Sequence, residues 1–257
     1  MCHGLDARGF HGLRIYEELA EEACRAGFVS LVFDFRGVGK SGGAFDYGFA
    51  EREDVKCALD FLVSRSDVVS GGVFVVGHSL GAAVALYALQ RDSRVKGLVL
   101  WSTPKNHDYN VKKFIRRKNG VLGLFVFQIL SRLDRVFNVS RLYSLEVAGI
   151  DLRPRFVREK LMKLDECEAA SKLRNMPLLI VIGQSDVLVG VDEAKEVYRS
   201  ANEPKKLVVV PSADHVYRGK EQRLISETLK WMETWTKTTI ETTGTIKPAE
   251  SRSNKEE

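Results

Sequence analysis

The sequence predicts an α/β fold: a mostly parallel sheet with helices on both faces and a helical lid. Three observations predict it. The stretch Gly77-His78-Ser79-Leu80-Gly81 follows the apolar run Val73-Phe74-Val75-Val76 and precedes Ala82-Ala83-Val84-Ala85-Leu86-Tyr87-Ala88-Leu89. That pattern is a strand buried on both faces, a sharp turn, then a helix. Further short apolar runs at residues 95–101, 178–182 and 207–210 alternate with helical patterns, as parallel βα units require. The 257 residues, 44% of them hydrophobic, suffice for one such domain with a complete core.

Each element has a local reason. A helix over residues 11–26 puts Leu13, Tyr16, Leu19, Ala20 and Ala23 on one side and stops at Gly27. Residues 28–33 read as a buried strand, and residues 36–48 as a glycine-rich loop. A second helix, residues 50–64, carries Val55, Leu59 and Leu62 on one face. At the serine turn, Gly77 and Gly81 permit a tight reversal. Ser79 is then expected in a strained conformation that lifts its hydroxyl off the sheet. It sits at a helix N-terminus, where the Leu80 N–H points at a developing oxyanion. The strand at residues 95–101 ends in Ser102-Thr103-Pro104.

After Pro104 the alternation breaks, up to about Arg174. Helical patterns at residues 111–117, 121–133 and 155–164 are joined irregularly. An insertion here sits at the C-terminal edge of the strands, where open α/β sheets bind ligands. The expected domains are therefore a core, residues 1–103 and 175–236, and a helical lid, residues 104–174. The lid's apolar run, residues 121–130, either lines an acyl pocket or packs onto the sheet. Strand 178–182, a helix from Asp192, strand 207–210 and a helix over residues 219–236 complete the core. Residues 237–257, rich in Thr, Lys and Glu, are expected to be disordered.

Composition excludes several function classes. The net charge is +5, and the excess is local. Between Lys105 and Arg174 basic residues outnumber acidic ones about two to one, including Lys112-Lys113 and Arg116-Arg117-Lys118. This reads as a solvated helical face, or as attraction for an anionic substrate or a membrane surface. Neither aromatic interleaving nor a recognition element accompanies it, so no nucleic-acid partner is expected. Cys2, Cys24, Cys57 and Cys167 lack metal-ligand or disulfide spacing and read as reduced thiols of a cytoplasmic protein. No metal or cofactor is expected. The longest apolar run is about half of what spanning a bilayer needs, so no stable membrane insertion is expected.

Gly37-Val38-Gly39-Lys40-Ser41-Gly42 invites two nucleotide readings, as G-x-G-x-x-G and as the end of a P-loop. Both fail on context. A P-loop has glycine where Asp34 stands, and its helix begins at the lysine. A dinucleotide fingerprint opens a helix within its glycines. Here the next helix waits until about Ala50.

A serine at such a turn is a weak nucleophile until a base takes its proton, and the base needs an orienting acid. The strand at residues 178–182 is followed by Gly183-Gln184-Ser185-Asp186, and that at residues 207–210 by Pro211-Ser212-Ala213-Asp214-His215. Parallel strands end on one edge, so Ser79, Asp186 and His215 converge there. Asp214 is a weaker acid candidate because its side chain should diverge from the adjacent imidazole. Asp186 as a simple turn aspartate stays open. His78 lies inside the turn and is assigned a packing role. His11 and His107 lack strand-end context. His3 precedes Gly4-Leu5, a loop it would brace.

These motifs resemble the α/β-hydrolase superfamily, in its capped esterase, lysophospholipase and serine-aminopeptidase-like branch. The resemblance rests on His3-Gly4, Asp34-Phe35-Arg36-Gly37-Val38-Gly39-Lys40-Ser41, Gly77-His78-Ser79-Leu80-Gly81, Asp186 and Asp214-His215. It implies Ser79 as nucleophile, His215 as base and Asp186 as acid. It implies Leu5 and Leu80 as oxyanion donors through their backbone N–H groups, and the insertion as a lid. A serine at the turn sets the chain apart from the branches that use aspartate there. The reading that follows is hydrolysis of a carboxylic ester through an acyl-enzyme, on a small-molecule substrate that is anionic or bears an acyl chain. An aminopeptidase or amidase, or an inactive binding protein of this fold, are the alternatives.

The sequence departs from that family at its start. In the family a central strand leads into the His-Gly loop, between the strands represented here by residues 29–33 and 73–76. Only Met1 and Cys2 precede His3. A sheet lacking that strand leaves two rows of backbone groups unpaired, each costing about 1–3 kcal/mol if buried dry. The expectation is a chain truncated at its N-terminus.

Overall fold

The computed structural model describes residues 1–69, 72–137 and 145–243. In chain order its elements are α1 (Ile15–Arg25), α2 (Glu51–Val63), β1 (Val73–His78), α3 (Leu80–Leu89), β2 (Val95–Trp101) and α4 (His107–Phe137). Then come β3 (Leu145–Val147), β4 (Ile150–Leu152), α5 (Pro154–Glu159), α6 (Glu166–Ser171), β5 (Leu178–Gly183), α7 (Val191–Ser200), β6 (Lys205–Val210) and α8 (Glu221–Thr243).

The main sheet is parallel throughout, in the order β1-β2-β5-β6. β1, β2 and β5 are near-continuous apolar runs because both their faces are covered, whereas β6, at the sheet edge, opens with Lys205-Lys206 and leaves Val209 39% exposed. Alternate residues serve opposite cores. Val75, Leu98, Leu100, Ile180 and Ile182 pack on the side of α3 and α7. Val76, Val99, Trp101, Leu179 and Val181 pack against α1 and α8. Leu98, Leu100, Ile180 and Ile182 are fully buried. Each such side chain contributes about 1.5–3 kcal/mol by leaving water. Helix α3 is buried nearly all round, which explains why Ala82 to Leu86 carries no polar side chain.

The insertion leaves β2 and returns to β5 through a narrow neck. The His107 N–H donates to Leu164 O at 2.9 Å, and the Glu166 N–H to Lys105 O at 3.1 Å. Beside them the His107 imidazole lies 2.6 Å from the buried Glu166 carboxylate, whose pKa burial pushes up. Helix α4 bends at Gly120, where φ is 69° and only glycine sits without strain. The expected stretches at residues 111–117 and 121–133 lie within α4, while that at 155–164 is split into α5 and a single 3-10 turn at Leu161–Lys163. An antiparallel hairpin, β3 with β4, was not foreseen; its turn places Ala148 and Gly149 at positive φ. Residues 138–144 of the insertion lie outside the described residues.

Three expectations are corrected. Residues 28–33 form no strand. Val29 is 44% exposed, and the segment's link to the chain start is the Met1 α-amino group donating to Leu31 O at 2.7 Å. A run becomes a strand only when a neighbouring strand takes its hydrogen bonds in a ladder, and among the described residues no strand pairs with this one. Between it and β1 lies an apolar cleft of about 260 Å³, lined by Met1, Phe28, Leu31, Val73 and Phe74. Cys2 bridges β1: the Cys2 N–H donates to Val76 O at 2.8 Å and His78 N–H to Cys2 O at 3.0 Å. Second, α8 extends the last helix to Thr243, beyond the expected start of disorder at residue 237. The rest of that expectation, residues 244–257, lies outside the described residues. Third, the apolar run 121–130 does not pack down as a unit. Phe127 is buried, while Val121, Leu122 and Phe125 are exposed.

Candidate active site

The parallel register carries chemistry to one edge. His78 pairs with Trp101, Trp101 with Val181, and Gly183 with Val210. The loops that follow these strand ends hold Ser79, Ser102, Asp186 and His215.

Ser79 has φ 52° and ψ −116°, a conformation that costs a non-glycine residue about 1–3 kcal/mol. Its neighbours over-determine it. The Ser79 N–H donates to Trp101 O at 2.9 Å, and α3 starts at the next residue. A Cβ on Gly81 would stand 2.3 Å from Cys2 O and 2.4 Å from His3 O, and one on Gly77 2.6 Å from Gly81 O. The two glycines are therefore required by close backbone approach. A Cβ on Gly4 would stand close to His78, 3.3 Å from its Nδ1, and 3.6 Å from Ser79 Cβ. The loop carrying Leu5 thus lies against the serine. Among the described residues, neither the Leu5 nor the Leu80 N–H donates to a protein acceptor. Unpaired donors beside a strained serine are suited to stabilise negative charge.

His215 and Asp186 are joined directly. His215 Nδ1 lies 2.8 Å from Asp186 Oδ2, and the carboxylate is fully buried. Asp186 Oδ1 accepts the N–H groups of Leu188 and Val189, each at 2.9 Å. With Nδ1–H donated to Asp186, Nε2 is left with its lone pair free to accept a proton. Ser79 Oγ makes no hydrogen bond to His215 among the described residues. Instead His215 reaches the serine turn through His78, whose ring centroid is 5.2 Å from its own.

That contact belongs to a relay the sequence did not reveal. The Gly4 N–H donates to Tyr16 Oη at 3.1 Å, and Tyr16 Oη donates to His78 Nδ1 at 2.6 Å. His78 Nε2–H then donates to the His215 carbonyl at 3.0 Å. Burial, aided by the neighbouring His215, pulls the His78 pKa from 6.5 down to about 3, so its ring is neutral and both nitrogens have fixed roles. The packing role expected for His78 is therefore too weak a description: it ties the loop of Leu5 to the loop of His215. Ser102 lies in the same buried layer, 3.2 Å from the His215 carbonyl and 3.1 Å from Tyr217 Oη, to which it donates. In sequence Tyr16 registered only as an apolar face residue of α1.

The other candidates have other partners. Asp214 turns its carboxylate to the N–H groups of Val216 and Arg218 in its own loop. His11 pairs at the surface with Glu17, and His107 with Glu166. His3 Nε2 accepts the Phe35 N–H at 3.0 Å, and its Nδ1 donates to Gly4 O at 2.6 Å, which braces the Leu5 loop. In the glycine-rich loop, the Lys40 N–H that a phosphate would need goes to the Asp34 carboxylate, which also accepts the Phe10 N–H. Among the described residues, no three His, Cys, Asp or Glu side chains converge as a metal would require.

The insertion is tied to the loops of this edge. The Ala7 N–H donates to Ala148 O at 2.9 Å. Lys113 Nζ and Asn110 Nδ2 donate to Leu188 O, two residues beyond Asp186.

Comparison with known proteins agrees with this architecture. The chain is 24% identical over 191 residues to YfhR of Escherichia coli, covering 74% of this chain and 54% of YfhR. It is 24% identical over 234 residues to a monoglyceride lipase homolog of Monkeypox virus, covering 86% and 83% of the two chains. An esterase of Pyrococcus furiosus superposes with a TM-score of 0.64 at 22% identity, over 91% of this chain and 80% of that one. The chain spans about half the length of several curated relatives it matches. Residues 1–218 match the family described as serine aminopeptidase, S33. The chain belongs to that family, a hydrolase family of the α/β-hydrolase fold.

Proposed function

We propose that the protein is a serine hydrolase that cleaves a carboxylic ester through an acyl-enzyme. The observation that carries this reading is the Asp186–His215 pair, held at 2.8 Å at the sheet edge that presents the strained Ser79. Ser79 Oγ attacks the acyl carbonyl carbon, and its proton passes to His215 Nε2. Asp186 keeps the imidazole oriented and stabilises its charged form. The Leu5 and Leu80 N–H groups hold the oxyanion. Collapse expels the alcohol, which takes the proton from His215. Water then attacks the acyl carbon, with His215 again as base, and frees the acid and Ser79. The Ser79–His215 bond forms as substrate seats, since such bonds are often loose without it. Residues 104–174 act as the lid over this site, supported by their bonds to Ala7 and Leu188.

The family description favours a second reading, an aminopeptidase on the same residues. Short-chain p-nitrophenyl esters and aminoacyl anilides, assayed side by side, separate the two. The ester reading expects ester turnover well above anilide turnover, lost in Ser79→Ala and His215→Ala. Anilide turnover dominating overturns it in favour of the peptidase. No turnover of either, in a folded protein, leaves a binding protein of this fold.

A further inference from the structure

Helix α4 beyond Gly120 carries more apolar surface than its own protein covers. Val121, Leu122, Phe125, Val126, Ile129, Leu133, Val136 and Phe137 are each between 39% and 75% exposed. At about 100° per residue these eight positions fill one arc of about 160°. The opposite arc is sunk into the insertion: Phe127, Ser131 and Asp134 are buried. The helix therefore buries one arc against its own protein and leaves the broad apolar arc uncovered. Scattered surface leucines need no explanation, but a continuous face of this size marks an interaction site.

The charge around the face selects its occupant. Arg116, Arg117 and Lys118 are exposed and immediately precede the bend at Gly120, and Arg132 is exposed at the rim of the arc. Basic residues outnumber acidic ones about two to one across the whole insertion. A second copy of the chain would bring these cations against each other. An anionic lipid surface meets them with opposite charge, while its acyl region takes the apolar side chains. No helix among the described residues is long and apolar enough to cross a membrane, so contact of this kind is peripheral.

We propose that the second half of α4 is a peripheral docking face for anionic membranes. The face lies in plane with the bilayer boundary, with Leu122 and Phe125 as its anchors. Docking here also sets the serine edge beside the lipid, because the first half of α4 holds the loop after Asp186 through Lys113 and Asn110. The proposal goes beyond the hydrolase reading and does not depend on it.

The test is flotation of the full chain with phosphatidylcholine vesicles, with and without phosphatidylserine. The protein is expected to float with the anionic vesicles and to come off as salt is raised. Leu122→Asp combined with Phe125→Asp is expected to weaken binding at least about tenfold. Reversal of Arg116, Arg117 and Lys118 to Glu is expected to weaken binding to anionic vesicles by a similar factor and to leave neutral vesicles unaffected. Phe61→Asp, at an exposed apolar residue of α2, controls for any loss of surface apolarity and is expected to bind as the parent does. Ser79→Ala is expected to float unchanged, which separates this result from the catalytic reading. Circular dichroism checks that each variant is folded. Flotation with neither vesicle overturns the proposal, as does undiminished flotation of the folded double variant. A dimer in light scattering that the double variant dissolves, without vesicle binding, also overturns it and assigns the face to self-association.

Discussion

His78 shows what a single buried residue does at this site. It is neutral, it accepts from Tyr16, and it donates to the carbonyl of His215. Its pKa of about 3 lies below the 6.5 of an unfolded chain. As pH falls below about 6.5 the unfolded state takes up a proton that the folded state refuses. Stability is therefore lost on acidification, by up to about 1.4 kcal/mol per pH unit from this group. Urea unfolding of the parent and of His78→Gln at pH 6.5 and at pH 5 is expected to show a steeper loss in the parent, by about 2 kcal/mol over that interval. Equal losses would remove His78 as the titrating group. Gly81 acts through volume instead. An added methyl would collide with the carbonyls of Cys2 and His3 and push the Leu5 loop away from Ser79. Gly81→Ala is expected to lower ester hydrolysis about a hundredfold, whereas Gly190→Ala, which meets open space, is expected to leave it unchanged. The need for glycine at position 77 was legible in sequence, because its clash, with Gly81 and Ala82, is local to the strand-turn-helix, whereas the clash at position 81 is with the distant loop of Cys2 and His3. The Tyr16–His78 relay was not legible, because it joins residues 62 apart in the chain through a contact that only packing creates.

At the scale of elements, β1 and the segment over residues 28–33 flank an apolar cleft of about 260 Å³ with Met1 in its lining. Burial pushes the pKa of the Met1 α-amino group down, so the charge sits there at a cost. A five-residue alternating apolar extension grafted before Met1 is expected to run into this cleft parallel to β1. It would pair both edges and raise the melting temperature by several degrees. An unchanged or lower melting temperature would show that the cleft does not accept a strand. This is also where reading the sequence failed. The apolar run over residues 28–33 was visible, but a strand is a relation between two segments, and composition does not report a partner. The β3–β4 hairpin escaped for a different reason: its turn is Ala148-Gly149, not the Asn-Gly or Asp-Gly that signals such turns. By contrast β1, β2 and β5 were legible because strands buried on both faces are nearly pure apolar runs, and β6 because Leu207 to Val210 is an unbroken apolar run even though it is partly exposed.

The whole molecule is a parallel sheet with an insertion mounted on its C-terminal edge. The His107–Glu166 pair locks the neck between them. Glu166→Ala leaves the buried imidazole without its partner and is expected to cost about 1–3 kcal/mol. Hydrogen exchange should show the loss in the insertion's amides while β2 and β5 stay protected; uniform exchange across both would deny the neck its separate role. The central claim concerns the edge beneath that insertion, where Ser79, Asp186 and His215 are assigned one chemistry. A fluorophosphonate probe tests it most directly, because it bonds only to a serine whose proton has somewhere to go. Peptide mass spectrometry of the labelled chain is expected to find the adduct on Ser79. Labelling is expected to vanish in Ser79→Ala and to slow at least about a thousandfold in His215→Ala. A folded protein that resists the probe, or one labelled equally fast without His215, would contradict the account.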